Sequence, residues 1–274
     1  MTQLERADES QIASHFQQNL TRPVAIDLWT RKESALVRSD RDPCVHCDDV
    51  MELARQIASL HPALSLTRYD LDKHADRASE AGVARPPLTA IRANGREVRF
   101  AGLWAGTLLP VMIDSIVGIS SGATPLAQES LDTLEALPEV MPVELLVAPY
   151  DPYSAYMMRL VYALGIASRN VRVDVVDASE YPLLASRRAV TEVPLLFLNE
   201  RRYVGAWEEP DLIEQMRRLA DGNDDPVIRD SVPVAPFMTE AEAQRAAQEQ
   251  QQQQQGRATP GETISPGGVI LPGQ

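Results

Sequence analysis

The sequence predicts an α/β protein that uses one unit twice, each unit a four-stranded mixed sheet with helices on both faces. Three observations carry this. Apolar strands and amphipathic helices recur in the same order along the chain. Landmark residues of the two copies match at nearly constant offsets. Only the first copy holds cysteines, Cys44 and Cys47, and they are the chain's only two.

Cys44-Val45-His46-Cys47 is followed 43 residues later by Pro87, inside Pro86-Pro87-Leu88-Thr89. Asp151-Pro152-Tyr153-Ser154 is followed 43 residues later by Pro194, inside Val193-Pro194-Leu195-Leu196, so both landmarks are offset by 107. Arg99-Phe100-Ala101-Gly102-Leu103-Trp104 answers Arg202-Tyr203-Val204-Gly205-Ala206-Trp207 at an offset of 103. The difference of four falls at a hairpin, where Ala93-Asn94-Gly95-Arg96 is a strong tight-turn signal and the second copy's turn is expected to be shorter. Upstream, Pro23-Val24 lies 21 residues before Cys44 and Pro142-Val143 lies 9 before Asp151. The first copy thus carries about twelve extra residues, roughly Glu33 to Pro43.

Hydrophobic periodicity orders the elements. A helix (about 7–20, then 125–136) precedes an apolar strand (23–30, then 142–148). The cysteine segment or its counterpart opens a second helix (45–60, then 152–166), and a strand follows (64–70, then 171–176). A short helix, a hairpin and a last helix (105–119, then 208–220) complete each copy. The expected division is 1–121, 122–221 and a tail, 222–274, whose Gly, Pro, Ala and Gln content predicts disorder. Residues 239–249 of the tail can form a short helix, and its end, Val269-Ile270-Leu271-Pro272, suits either a docking peptide or disorder without function.

A net charge of −13 argues against nucleic acid or an anionic membrane surface as partner. No apolar run approaches the ~20 residues that span a bilayer. The acidic, polar start MTQLERADES lacks the features of a secretory signal or transit peptide, so a cytoplasmic location is expected. There, two cysteines spaced C-x-x-C read as a redox or metal pair rather than a structural staple.

Taken together, the strand, the C-x-x-C at a helix start and the proline-led hairpin, all doubled, resemble the protein disulfide oxidoreductases built from two glutaredoxin-like units, a thioredoxin-fold family. They also resemble the N-terminal domain of alkyl hydroperoxide reductase flavoprotein subunits. The resemblance covers about residues 7–220 and is closest at Val98-Arg99-Phe100-Ala101-Gly102-Leu103, at Val175 to Pro182, and at Val193-Pro194. It implies tandem thioredoxin-like folds, dithiol–disulfide chemistry on protein disulfides, no bound cofactor, and recharging by a thioredoxin-reductase-like flavoprotein or glutathione. Two departures stand out. The second unit keeps Pro152 and Tyr153 of the family's C-P-Y-C but has Asp151 and Ser154 in place of the cysteines, and the segment before Cys44 is long.

A thiol at a helix N-terminus meets unpaired N–H groups and the positive end of the helix dipole, which favour thiolate. The resemblance implies that Cys44 attacks and the less exposed Cys47 resolves the mixed disulfide. A cationic His46 between them would favour the thiolate further, while Asp48 and Asp49 would oppose it. Half of a zinc site, completed by His61 and His74, is the competing reading of the pair. Pro87 and Pro194 stand where the family carries a cis proline, and at Pro87 the preceding residue is Pro86, which offers a peptide no N–H. Asp27, in Ile26-Asp27-Leu28-Trp29, either assists the resolving thiol or faces solvent. Asp151 with Pro152 reads as a helix cap. The alternative function is a redox-sensing or adaptor protein that uses the doubled fold as a scaffold.

Overall fold

The computed structural model describes residues 4–32 and 42–257. Glu33 to Arg41 of the insertion and the Val269–Pro272 cluster lie outside the described residues.

The first copy runs α1 (Arg6–Asn19), β1 (Val24–Thr30), α2 (Cys47–Ser59), β2 (Leu64–Asp70), α3 (Ala75–Glu80), β3 (Leu88–Ala93), β4 (Arg96–Ala101) and α4 (Leu109–Ser121). The second runs α5 (Gln128–Glu135), β5 (Met141–Val147), α6 (Ser154–Ala167), β6 (Val171–Asp177), α7 (Pro182–Arg187), β7 (Glu192–Val193), β8 (Leu195–Leu198), β9 (Arg201–Val204) and α8 (Glu209–Ala220). A two-residue strand, β10 (Ala235–Pro236), and a last helix, α9 (Glu240–Arg257), follow. The doubled order is therefore the one expected.

Each copy contributes four strands in the same arrangement, β2-β1-β3-β4 and β6-β5-β8-β9. The copies do not keep separate sheets. β4 pairs in parallel with β6, Val98 opposite Val173 and Ala101 opposite Val176, and the result is one eight-stranded mixed sheet. This joint covers two strand edges that would otherwise present unpaired N–H and C=O groups. Gly165 of α6 lies over it. A Cβ there would meet Val173 Cγ2 at 2.9 Å and Val98 Cγ1 at 3.3 Å, so glycine lets the helix sit down on the seam.

Strand alternation sends side chains to two faces. Ile26 and Leu28 of β1 join Val50, Leu53, Ala54 and Ile57 of α2 in a core that runs on through α4, α6 and α8. The opposite face is covered by α3, with Trp29, Tyr69, Leu88 and Ala90, and by α7, with Leu146, Val176, Leu195 and Phe197.

Two details of the repeat differ from expectation. β1 pairs Val24 with Leu64, and β5 pairs Met141 with Val171. The strands thus correspond at Val24 and Met141, and the first copy's excess is about ten residues rather than twelve. The second hairpin turn is not shorter either. Asn94 and Gly95 turn the first with φ of 54° and 68°, and Asn199 and Glu200 turn the second with φ of 47° and 65°. The residues missing from the second copy come out of its strands, six residues each in β3 and β4 against four each in β8 and β9. A two-residue turn with positive φ at both positions suits the twist of a hairpin and is retained whatever the strand length.

The equivalent tryptophans show how the copies diverged. Trp104 Nε1 donates to Thr89 Oγ1 at 2.9 Å. At the position matching Thr89 the second copy has Leu196, and Trp207 Nε1 is buried with no partner among the described residues. Its ring is covered instead by the Arg229 guanidinium, 3.8 Å from the centroid.

Arg229 belongs to the segment that composition assigned to the disordered tail. Residues 223–237 instead pack back on the second unit. Arg229 donates to the Ala206 and Val204 carbonyls at 2.6 Å each, Ala206 N donates to Pro233 O at 2.9 Å, and β10 pairs with β7. A few polar groups matched to free carbonyls order this stretch without a large apolar surface, which composition does not register. From Met238 the chain forms a separate unit. There Thr239 and Glu242 make a reciprocal capping box, Thr239 N to Glu242 Oε2 at 2.8 Å and Glu242 N to Thr239 Oγ1 at 3.4 Å. α9 runs from it through the glutamine run, longer than the 239–249 helix expected, in keeping with glutamine's good helix propensity.

Two predictions follow from these contacts. Ending the chain after Phe237 should leave the melting temperature within about a degree, whereas ending it after Gly222 strips the cover from Trp207 and should lower it by several degrees, at roughly 2–4 °C per kcal/mol for a protein this size. Equal melting temperatures for the two truncations, by calorimetry, would show that residues 223–237 hold nothing. Separately, Thr89→Val keeps the shape but leaves Trp104 Nε1 unpaired, and should cost about 1–3 kcal/mol in urea unfolding. A cost below about 0.5 kcal/mol would mean that the hydroxyl is dispensable.

Candidate functional site

The site forms where β1 ends and α2 begins. Helix α2 starts at Cys47, two residues later than periodicity placed it, with Val45 and His46 in the turn ahead of it. Cys44 and Cys47 are joined in a disulfide, their Cα atoms 5.4 Å apart. Cys47 N reaches back to Cys44 O at 3.5 Å and Val50 N to His46 O at 2.9 Å, so the turn runs directly into the helix. The bonded sulfurs thus lie at the end of α2 where free N–H groups and the dipole favour negative charge.

Cys47 Sγ accepts the main-chain N–H of Arg31 at 3.2 Å, from the residue that follows β1. Arg31 is itself held by its side chain, Nε to Asp72 Oδ1 at 3.0 Å. No residue type could have revealed this donor, because it is a main-chain group. The two cysteines are equally buried, each 5% exposed, which differs from the expected more exposed Cys44. Val45 between them is 59% exposed.

His46 Nδ1 lies 3.4 Å from Asp49 Oδ2. The two groups expected to act in opposite senses on a thiolate are therefore partners in one ion pair when the imidazole is protonated. The Pro86–Pro87 and Val193–Pro194 bonds are both cis, as their repeated position suggested. Each proline carbonyl accepts the amide of the glycine that follows the hairpin, Gly102 N to Pro87 O at 2.9 Å and Gly205 N to Pro194 O at 2.8 Å.

Asp27 is buried but lies apart from this arrangement. It alternates with Ile26 and Leu28, which face α2, and shares the face of Trp29 and Ala90. Its carboxylate is ion-paired with Arg92 on β3. Burial raises its pKa against the pull of that guanidinium. Neither reading of Asp27 describes this, since it faces neither the resolving cysteine nor open solvent.

Among the described residues, no cluster of His, Cys, Asp and Glu is placed to hold a metal ion. His61 Nδ1 accepts the Ala63 amide at 3.2 Å, and His74 Nδ1 lies 2.9 Å from Asp70 O.

In the second unit the corresponding turn keeps its geometry with different chemistry. Ser154 Oγ donates to Asp151 Oδ2 at 2.6 Å, where the first unit has its S–S bond. Ala148, the residue after β5, donates its N–H to Ser154 Oγ at 3.0 Å, matching the Arg31 donation to Cys47. Asp151 Oδ1 accepts the Tyr153 amide at 3.1 Å and so closes the turn. It is not the helix cap expected of it, because α6 starts only at Ser154, with Tyr153 at the N-cap position and Pro152 ahead of it. The Asp151 and Ser154 side chains are fully enclosed, at 2% and 0% exposed.

No family model matches the chain, and no curated protein matches it in sequence. Solved structures do. A protein disulfide oxidoreductase from Aeropyrum pernix K1 superposes with a TM-score of 0.69, covering 83% of this chain and 97% of its own at 20% identity. The NTD_N/C domain of alkylhydroperoxide reductase AhpF from Enterococcus faecalis gives 0.67, covering 78% of this chain and 100% of its own at 16% identity. The C503A mutant of the same subunit gives the same figures. At such identities the likeness establishes the fold. The chain is an α/β protein of doubled thioredoxin fold with one disulfide-forming C-x-x-C pair, the doubling expected from the repeat and the fold implied by the resemblance.

If His46 and Asp49 act on a Cys44 thiolate, their removal should move the couple in opposite directions. His46→Tyr withdraws positive charge, disfavours the reduced form and should lower the reduction potential. Asp49→Asn should raise it. A shift near 30 mV corresponds to about 1.4 kcal/mol. Titration against a glutathione buffer reads both, and shifts of the same sign would remove the pair from control of the thiol.

Proposed function

We propose that this chain is a cytoplasmic dithiol–disulfide oxidoreductase that acts on protein disulfides through Cys44 and Cys47. One observation carries the proposal: the pair forms its disulfide at the N-terminus of α2 in a doubled thioredoxin fold. In the reduced protein, the Cys44 thiolate attacks one sulfur of the substrate disulfide. A mixed disulfide forms, and the other substrate sulfur leaves as thiolate. Cys47, deprotonated, then attacks the Cys44 sulfur and releases the second substrate thiolate. The substrate has gained two electrons and the protein is left as the Cys44–Cys47 disulfide. The Arg31 amide, aimed at Cys47 Sγ, favours the anion required in the second step. Cis Pro87 is assigned to the same site in this proposal, and exposed Val45 offers an apolar contact to a protein substrate.

The two electrons must be returned by a reductant. A thioredoxin-reductase-like flavoprotein fits, since a matching fold belongs to an alkylhydroperoxide reductase subunit, and glutathione is the second candidate. In this proposal residues 1–121 are the redox-active unit and 122–221 a redox-inactive one, with the chain from 238 onward as a tether. An adaptor or redox sensor is the second reading, favoured by the burial of both cysteines. Among the described residues, no helix is long and apolar enough to cross a membrane.

Cys44→Ser should abolish reduction of insulin by a dithiol-charged protein. Cys47→Ser should accumulate mixed disulfides through Cys44, because attack survives and resolution does not. Trapping by Cys44→Ser alone would reverse the roles. A wild-type protein that is oxidised and reduced reversibly yet turns over no protein disulfide would favour the sensor.

A further inference from the structure

The second unit has no cysteine, yet one short segment of it is hydrogen-bonded to three segments of the first, one of which leads into Cys44. Asp42 stands two residues before Cys44. Its Oδ1 accepts the Leu183 amide at 2.8 Å and its Oδ2 the Leu184 amide at 3.2 Å. Tyr181, 2% exposed, places its hydroxyl 3.2 Å from the Pro86 carbonyl and 3.4 Å from that of Pro87, sharing one proton between them. Glu180 Oε1 accepts the Leu103 amide at 2.7 Å, next to the Gly102 amide that closes on Pro87. The chain entering Cys44, the cis-proline turn and the chain leaving β4 are thus all fastened to residues 180–184.

These ties are well made. Gly102 has φ of +119°, and a Cβ there would meet Asp177 Cβ at 2.9 Å and Glu180 Oε1 at 3.1 Å, so the close approach needs glycine. Tyr181 is a dependable donor, because burial holds its hydroxyl well above the usual phenol range and hence protonated. Pro86 and Pro87 carry no N–H, which leaves their carbonyls as the only main-chain hydrogen-bonding groups by which this turn can be held.

We propose that Asp42 and Tyr181 are positioning residues of the redox centre, through which the cysteine-free unit fixes the Cys44 and Pro87 segments relative to Cys47. This rests on the oxidoreductase reading above. Closing Cys44 onto Cys47 is an intramolecular step, and its equilibrium scales with the effective concentration of one sulfur at the other. Anchoring the chain just before Cys44 raises that concentration and stabilises the protein's own disulfide. Releasing the anchor should therefore make the couple more oxidising. No electron passes through either residue.

The test is redox equilibration of full-length protein with glutathione or dithiothreitol buffers. Asp42→Ala should lower the equilibrium constant for forming the Cys44–Cys47 disulfide three- to tenfold, a rise of ~14–30 mV. Tyr181→Phe, which changes no charge, should move it the same way by a smaller factor, and it decides alone if Asp42→Ala does not fold. A control is Ser154→Ala, which breaks the second unit's Asp151–Ser154 hydrogen bond. It should lower the melting temperature and leave the potential unchanged. Wild-type potentials in both Asp42→Ala and Tyr181→Phe would overturn the proposal. So would a shift in Asp42→Ala that vanishes at 1 M salt, since charge effects are screened there and positioning is not. A wild-type protein with no reversible dithiol–disulfide couple would instead overturn the oxidoreductase reading itself.

Discussion

The parallel pairing of β4 with β6 is the constraint on which the rest of the molecule depends. It fixes the two copies in one sheet, and its register sets Ala101 opposite Val176. The residues just past that pair, Gly102 and Asp177, then come into contact, and the chain beyond Asp177 is delivered beside the Pro87 turn. A slip by one residue would reverse the facing of every side chain on one side of the joint. The small side of α6 at Gly165 and the burial of Val98 and Val173 beneath it hold the register in place.

The two copies also show which parts of the unit are structural and which are chemical. Both retain the main-chain donation to the first residue of the helix, the cis proline, the proline-to-glycine hydrogen bond and the two-residue hairpin turn. The sulfurs are replaced in the second copy by an Asp–Ser hydrogen bond of 2.6 Å that closes the same turn. A covalent bond and a buried, fully satisfied polar pair meet the same geometric demand, but only the first can exchange electrons. The loss of Thr89's counterpart is compensated less directly. Leu196 adds apolar contact, and the orphaned indole is covered by an arginine from the following segment.

Two charged side chains beside the cysteines have partners of opposite sign: His46 faces Asp49 and Arg31 faces Asp72. In a chain of net charge −13, pairing limits what any one residue can do to a thiolate. The donor that reaches Cys47 Sγ is a main-chain group, the Arg31 N–H, which brings no charge of its own.

The sequence by itself determined most of the local architecture. The boundaries of β1, β2, β5 and β6 fall within about a residue of those expected, because apolar runs between turn residues leave little freedom. The matched cysteine turn, prolines and Gly-x-Trp motifs declared the repeat, and the C-x-x-C marked the candidate site. The eight-stranded joining of the copies, the face chosen by Asp27, the ordering of residues 223–237, and the contacts of Asp42 and Tyr181 were decided by tertiary structure. The physical reason is the same in each case. Asp42 meets Leu183 across 141 residues of chain, and Arg229 meets Ala206 across 23. Periodicity and spacing record what a segment does with its own neighbours, whereas these bonds exist only once the sheet has brought distant segments together.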